Sequence, residues 1–141
     1  MEKKIDLITG KSIALVTNQT GVDRYGIPNY KRLLALDNIY LKVIFSPEHG
    51  FFGEADKKIT YDKKIAGLPE VFSLYGTVRK PTPEMLQGVD LIIYDIQDIG
   101  ARFYTYISTL GLVMEAAAEL QIPVLVLDRP NPIRKIGRAH V

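Results

Sequence analysis

The chain has 141 residues, 47% hydrophobic and 24% charged, which suits one globular domain with a real core. Its 18 basic and 16 acidic residues leave a formal charge of +2 spread along the chain, which excludes an electrostatic footprint for nucleic acid or anionic lipid. There is no cysteine, so disulfides and thiolate chemistry are excluded, and no stretch is apolar for long enough to span a bilayer.

The N-terminus, Met1-Glu2-Lys3-Lys4-Ile5-Asp6, lacks the apolar core of a signal peptide, which predicts a cytoplasmic protein if this start is genuine. Ser12 to Thr17 is a short apolar and β-branched run, read as a buried first strand. Asn29 is expected to cap a helix running to about Asp37, with Tyr30, Leu33 and Leu34 on its inner face and Lys31 and Arg32 outside. Leu41 to Phe45 is the second strand. Phe51 to Leu68 has no period and carries lysines at 57, 58, 63 and 64, as a lid or insertion would. Glu70 to Leu74 reads as a short strand closed by Tyr75-Gly76.

Thr82-Pro83-Glu84 has the form of an N-cap, a first-turn proline and an acidic first turn, which predicts a short helix stopped by Gly88. Leu91 to Tyr94 is the next strand. Thr105 to Gln121 is expected to be helical, with Ile107, Leu110, Met114, Ala117 and Ala118 facing the core and Pro123 blocking its continuation. Gly111 costs such a helix roughly 1 kcal/mol relative to alanine, which predicts a close packing contact there. Val124 to Leu127 is the last strand. Strands alternating with helices, without hairpin signals, predict an α/β fold: a Rossmann-like open, mostly parallel sheet with helices on both faces.

Four of these strands end in polar clusters: Thr17-Asn18-Gln19-Thr20-Gly21, Ser46-Pro47-Glu48-His49-Gly50, Asp95-Ile96-Gln97-Asp98 and Asp128-Arg129-Pro130-Asn131-Pro132. A parallel sheet delivers such ends to one edge, where ligands bind. No dinucleotide fingerprint follows the first strand, and there is neither a phosphate-binding loop ending in Lys-Ser/Thr nor a nucleophile elbow. Glu48 and His49, held between a proline and a glycine among phenylalanines, suit a general acid with a raised pKa. The plainer alternative is a turn cap and a backbone-bonded imidazole. The stretch from Asp95 to Tyr106 combines two carboxylates, an amide, an arginine and tyrosines, a set fitted to a sugar. For Asp98 alone the plainer alternative is a helix N-terminus with Arg102 as its ion-pair partner. For Asp128-Arg129 it is a rigid loop with an internal salt bridge, and for Asn18 an ordinary turn.

With these blocks in order, the chain resembles the bacterial exo-β-N-acetylmuramidases, a family long carried as a domain of unknown function. The resemblance rests on Val16 to Gly21, Phe45 to Gly50, Ser73-Leu74-Tyr75-Gly76, Tyr94 to Tyr106 and Leu127 to Pro132, and runs from about Ile5 to Ile133. It implies a Rossmann-like N-terminal domain without a dinucleotide, acting on peptidoglycan-derived muramyl saccharides by releasing terminal N-acetylmuramic acid; no cofactor and no metal are expected. It implies Glu48 as the catalytic acid, with His49, Asp95 and Asp98 beside it. Asn18, Arg102, Tyr104, Asp128, Arg129 and Asn131 are expected to bind substrate. Arg134-Lys135 depart from the family's usual glycine pair and acidic stretch, and the family's C-terminal region, a partner in forming the cleft, does not follow. The segment Ile136-Gly137-Arg138-Ala139-His140-Val141 reads as a translated sequencing adapter, so residues 1–135 are expected to be the domain and 136–141 a non-native tail. Competing readings of the same clusters are a metal-dependent hydrolase and a non-catalytic sugar- or peptide-binding module.

Overall fold

The computed structural model describes residues 2–47, 51, 67–101 and 103–133. A 3-10 helix, Glu2–Leu7, leads into five strands: β1 (Ser12–Thr17), β2 (Tyr40–Ser46), β3 (Glu70–Ser73), β4 (Leu91–Asp95) and β5 (Val124–Val126). They form one sheet in the order β3-β2-β1-β4-β5, and every adjacent pair is parallel. Two helices, α1 (Asn29–Leu34) and α2 (Tyr106–Glu119), pack on opposite faces, as the alternating pattern predicts.

The alternation of side chains along the strands divides the core in two. Ala14, Val16, Val43, Phe45, Ile92 and Tyr94 point to one face, where Val113, Ala116 and Ala117 of α2 meet Leu86 and Val89. Ile13, Leu15, Leu41, Ile44, Val71, Leu91 and Ile93 point to the other, under Leu33 of α1, Ile8 and Phe51. Both faces of β1 and β4 are therefore dry, which explains why those strands read as near-continuous apolar runs.

Several expectations need correction. The first helix is shorter than predicted, and Asn29 is not its cap: Pro28 occupies the N-cap position, with no side-chain cap bond. Leu34 is exposed rather than inward. Residues 83–88 form consecutive turns instead of a helix, because Leu86 N–H reaches Thr82 O while Gln87 and Val89 bond only three residues back. A segment this short does not repay helix nucleation, and Gly88 at φ +68° ends it. Most of the irregular stretch read as a lid, 52–66, lies outside the described residues, as does the segment from Arg134 onward.

The long helix is present but rotated from the predicted face. Tyr106, Thr109, Val113, Ala116 and Ala117 are buried, whereas Ile107 and Met114 are 61% and 52% exposed. Polar contacts accompany that rotation, which places Tyr106, Val113, Ala116 and Ala117 against the sheet. The Tyr94 hydroxyl donates to Tyr106 O at 2.7 Å, and Lys80 Nζ bonds Glu115 and Glu119 at 2.7 and 2.6 Å. Gly111 faces outward, and a Cβ added there would meet nothing within 4 Å, so the expected close contact is absent.

The Tyr94 phenol gives a pH test. Burial first, then the Asp98 charge and Tyr106, push its pKa well above the usual 10.0. Its folded pKa is raised, so its contribution is complete below about pH 10 and declines as pH rises beyond that. Urea unfolding of wild type and Tyr94→Phe between pH 8 and 11 should therefore show a gap of about 1 kcal/mol that narrows above pH 10. A gap that stays constant or widens would contradict this account.

Candidate active site

All five strands are parallel, so their carboxyl ends share one edge. The strand order reverses at β1, whose neighbours are β2 and β4, and this is where open α/β sheets form a ligand crevice. Thr17 and Asp95 are register partners at the lip of that crevice. Thr17 Oγ1 donates to Asp95 O at 3.0 Å, tying the two strand ends together.

Asp95 is fully buried, and both of its carboxylate oxygens are engaged. Oδ1 accepts from Arg129 Nη2, and Oδ2 accepts from Asn29 Nδ2 at 2.6 Å. Asn29 can reach it because Gly21 accepts the Asn29 N–H at 2.8 Å, drawing the start of α1 under the β1 turn. Gly21 itself lies against β4, where no side chain fits: an added Cβ would overlap Thr17 Oγ1 and lie 2.9 Å from Asp95 Oδ2.

Arg129 joins a third strand end to the first two. Besides Asp95 it donates from Nη1 to Thr20 O at 2.7 Å. Thr20 Oγ1 accepts from Gln97 N at 3.0 Å and donates to Asn18 Oδ1 at 2.6 Å. The internal Asp128–Arg129 salt bridge considered from the sequence is therefore not what forms. Asp128 is exposed, with no ion-pair partner among the described residues. Gln97 Nε2 donates to Pro130 O at 3.3 Å, and a Cβ on Gly100 (φ +78°) would overlap the Asn131 carboxamide. The β1, β4 and β5 ends thus make one hydrogen-bonded rim.

Asp98 does not cap α2, whose first turn has no acidic residue. Its Oδ1 instead accepts from Gly100 N at 2.8 Å in a local turn. Tyr104 sits between Phe103 and Tyr106, with ring centroids 5.3 and 5.6 Å away, and Phe103 is 82% exposed on the rim. The β2 end reaches the same edge through buried Ser46 and Pro47. Glu48, His49 and Arg102 lie outside the described residues. The residues brought together are Asn18, Asp95 and Arg129 in one network, and Asp98 and Asn131 around Gly100. Sequence reasoning missed Asn29, Thr20 and Gly21 as parts of the site. Asn29 carried only a capping signal, although Thr20 and Gly21 were in plain view within a polar strand end. Among the described residues no three histidines or carboxylates come close enough to hold a metal ion, and no helix is long and apolar enough to cross a membrane.

Comparison with known proteins identifies the architecture. The family model described as "Exo-beta-N-acetylmuramidase NamZ, N-terminal" matches residues 13–138. The chain belongs to this family. A relative of the NamZ family, the peptidoglycan beta-N-acetylmuramidase of Bacillus subtilis (strain 168), is 48% identical over 128 residues, which is 89% of this chain and 31% of that protein. Two solved structures of DUF1343 family proteins from Bacteroides fragilis NCTC 9343 superpose with TM-scores of 0.82 and 0.73, at 48% and 37% identity. Each is covered over 33% of its own length by 93% of this chain. The chain therefore spans about a third of the length of these relatives.

Proposed function

We propose that the chain supplies the catalytic face of an exo-β-N-acetylmuramidase, which releases N-acetylmuramic acid from the non-reducing ends of peptidoglycan fragments during cell-wall turnover. The observation that carries this reading is the 48% identity to the Bacillus subtilis peptidoglycan beta-N-acetylmuramidase. Its support in the geometry is a rim of donors and carboxylates next to the strand end that leads into Glu48.

In this scheme Glu48 protonates the leaving glycosidic oxygen, and a second carboxylate, Asp98 or Asp128, stabilises the oxocarbenium-like state or activates water. His49 neighbours the acid and tunes its protonation. Asp95 is assigned a positioning role, because a carboxylate that accepts from both Arg129 and Asn29 is better placed to hold than to transfer a proton. Held in this way, Arg129 presents its remaining N–H groups to substrate, and Arg102 is suited to the lactyl carboxylate. Tyr104 and Asn131 complete the wall. The 141 residues alone are expected to turn over poorly, since they span about a third of the relatives' length and the cleft is proposed to need the rest.

Glu48→Gln, made at the matching glutamate of the full-length Bacillus subtilis relative, tests the assignment. The expected result is a fall in kcat of roughly 10²- to 10⁴-fold with little change in KM, read as hydrolysis of a chromogenic muramide. Normal turnover by the glutamine variant would remove Glu48 from the scheme.

A further inference from the structure

One buried polar group in the rim has no partner. Asn18 is 4% exposed, and its Nδ2 finds no acceptor among the described residues. An unpaired buried amide donor costs about 1–3 kcal/mol, so a fold that keeps one at the switch point of its sheet calls for an explanation. The orientation of the group is not loose. Asn18 Oδ1 accepts from Thr20 N at 2.9 Å and from Thr20 Oγ1 at 2.6 Å, and Thr20 Oγ1 is itself fixed by Gln97 N. The carboxamide is planar, so pinning its oxygen toward the β4 side leaves the NH2 branch turned away from that network. β1 lies between β4 and β2, whose end at Ser46 and Pro47 lies on the same edge.

We propose that Asn18 is a specificity-determining residue whose NH2 group donates to the 2-acetamido carbonyl of the bound saccharide. This inference rests on the muramidase reading above. An NH2 group with no acceptor of its own selects acceptor oxygens; the strongest on a muramyl unit are the acetamido carbonyl and the lactyl carboxylate, its hydroxyl, ring and ether oxygens being weaker acceptors. The local charge decides between them. Arg129, the cation joined to Asn18 through Thr20, is already paired with Asp95, so this part of the rim is electrically neutral. A neutral carbonyl fits there, whereas a second carboxylate would face Asp95 without a free cation in this network. Burial sharpens the choice, because a ligand lacking the acceptor leaves the donor dry and unsatisfied.

The test is a set of NMR titrations of the chain with N-acetylmuramic acid and with 3-O-lactyl-glucose, which carries a hydroxyl in place of the acetamido group. Wild type should bind the acetamido ligand at least tenfold more tightly. Asn18→Asp keeps the oxygen that Thr20 needs and loses the donors, and Asn18→Ala removes both; thermal melts confirm that each variant is folded. In either folded variant the preference should fall to within about threefold, in Asn18→Ala through weaker binding of N-acetylmuramic acid alone and in Asn18→Asp with a further loss common to both anionic ligands. Equal weakening of both ligands, or a preference left intact, would overturn the inference. Equal wild-type affinity for the two ligands would sink the Asn18 assignment and leave the muramidase reading standing. Wild type that binds neither ligand would overturn the Asn18 inference, while the muramidase reading stands or falls on the Glu48→Gln test.

Discussion

Gly21→Ala is expected to destabilise the chain by about 3 kcal/mol, the upper part of the range for forcing an extra carbon into a packed site. At this chain length that is a fall in melting temperature of roughly 10 °C, measurable by calorimetry or circular dichroism. The reason is spatial, since the Gly21 φ lies outside the left-handed region that favours glycine. An added Cβ would overlap Thr17 Oγ1 and sit 2.9 Å from Asp95 Oδ2 and 3.0 Å from Asp95 O, and these neighbours cannot give way. Two are atoms of a fully buried residue, and Thr17 Oγ1 is bonded to the β4 backbone. The β1 turn would have to lift, taking with it the Gly21 carbonyl that anchors Asn29. Gly111→Ala is the control. Gly111 lies inside α2 with open space around it, and the substitution should stabilise by roughly 0.5–1 kcal/mol. Similar responses from the two glycines would refute the idea that β1 and β4 need this close approach.

The contrast between these glycines also marks what the sequence could reveal. Strands such as Ser12–Thr17 and Leu91–Asp95 were legible because burial on both faces demands uninterrupted apolar residues, a signal that needs no knowledge of partners. Polar residues at the strand ends were legible for the complementary reason, since the buried run has to stop somewhere. The rotation of α2 was not legible. Ile107, Leu110 and Met114 make as good a helical stripe as Tyr106, Thr109 and Val113, and the choice falls to packing against the sheet, accompanied by contacts with Lys80 and Tyr94, distant in sequence. Asn29 fits a capping position locally, yet its amide is directed to a carboxylate 66 residues away. Adjacent Asp128 and Arg129 suggested a local ion pair, but successive side chains of extended chain point to opposite sides. Arg129 was therefore free to turn to Asp95, which no local pattern announces.

That long-range pair sets the second large effect. Asp95→Ala is expected to cost about 3–5 kcal/mol, because it removes the carboxylate and leaves the Arg129 guanidinium half-buried without its counter-charge. Asp95→Asn, conservative in shape, should also be damaging. Both native oxygens accept hydrogen bonds, and an amide offers one oxygen and one NH2, so either Asn29 or Arg129 would meet a donor instead of an acceptor. Adding Arg129→Met to Asp95→Ala should recover part of the loss, because no charge is then stranded, although the Asn29 amide and the Thr20 carbonyl stay without their partners. Urea denaturation of the two single variants and the double variant gives the coupling directly, and a value above about 1.5 kcal/mol is expected for groups in contact. Additive losses would mean that Asp95 and Arg129 act independently. Asp95 would then have no claim to hold Arg129 in place, and its burial beneath the rim would need another cause.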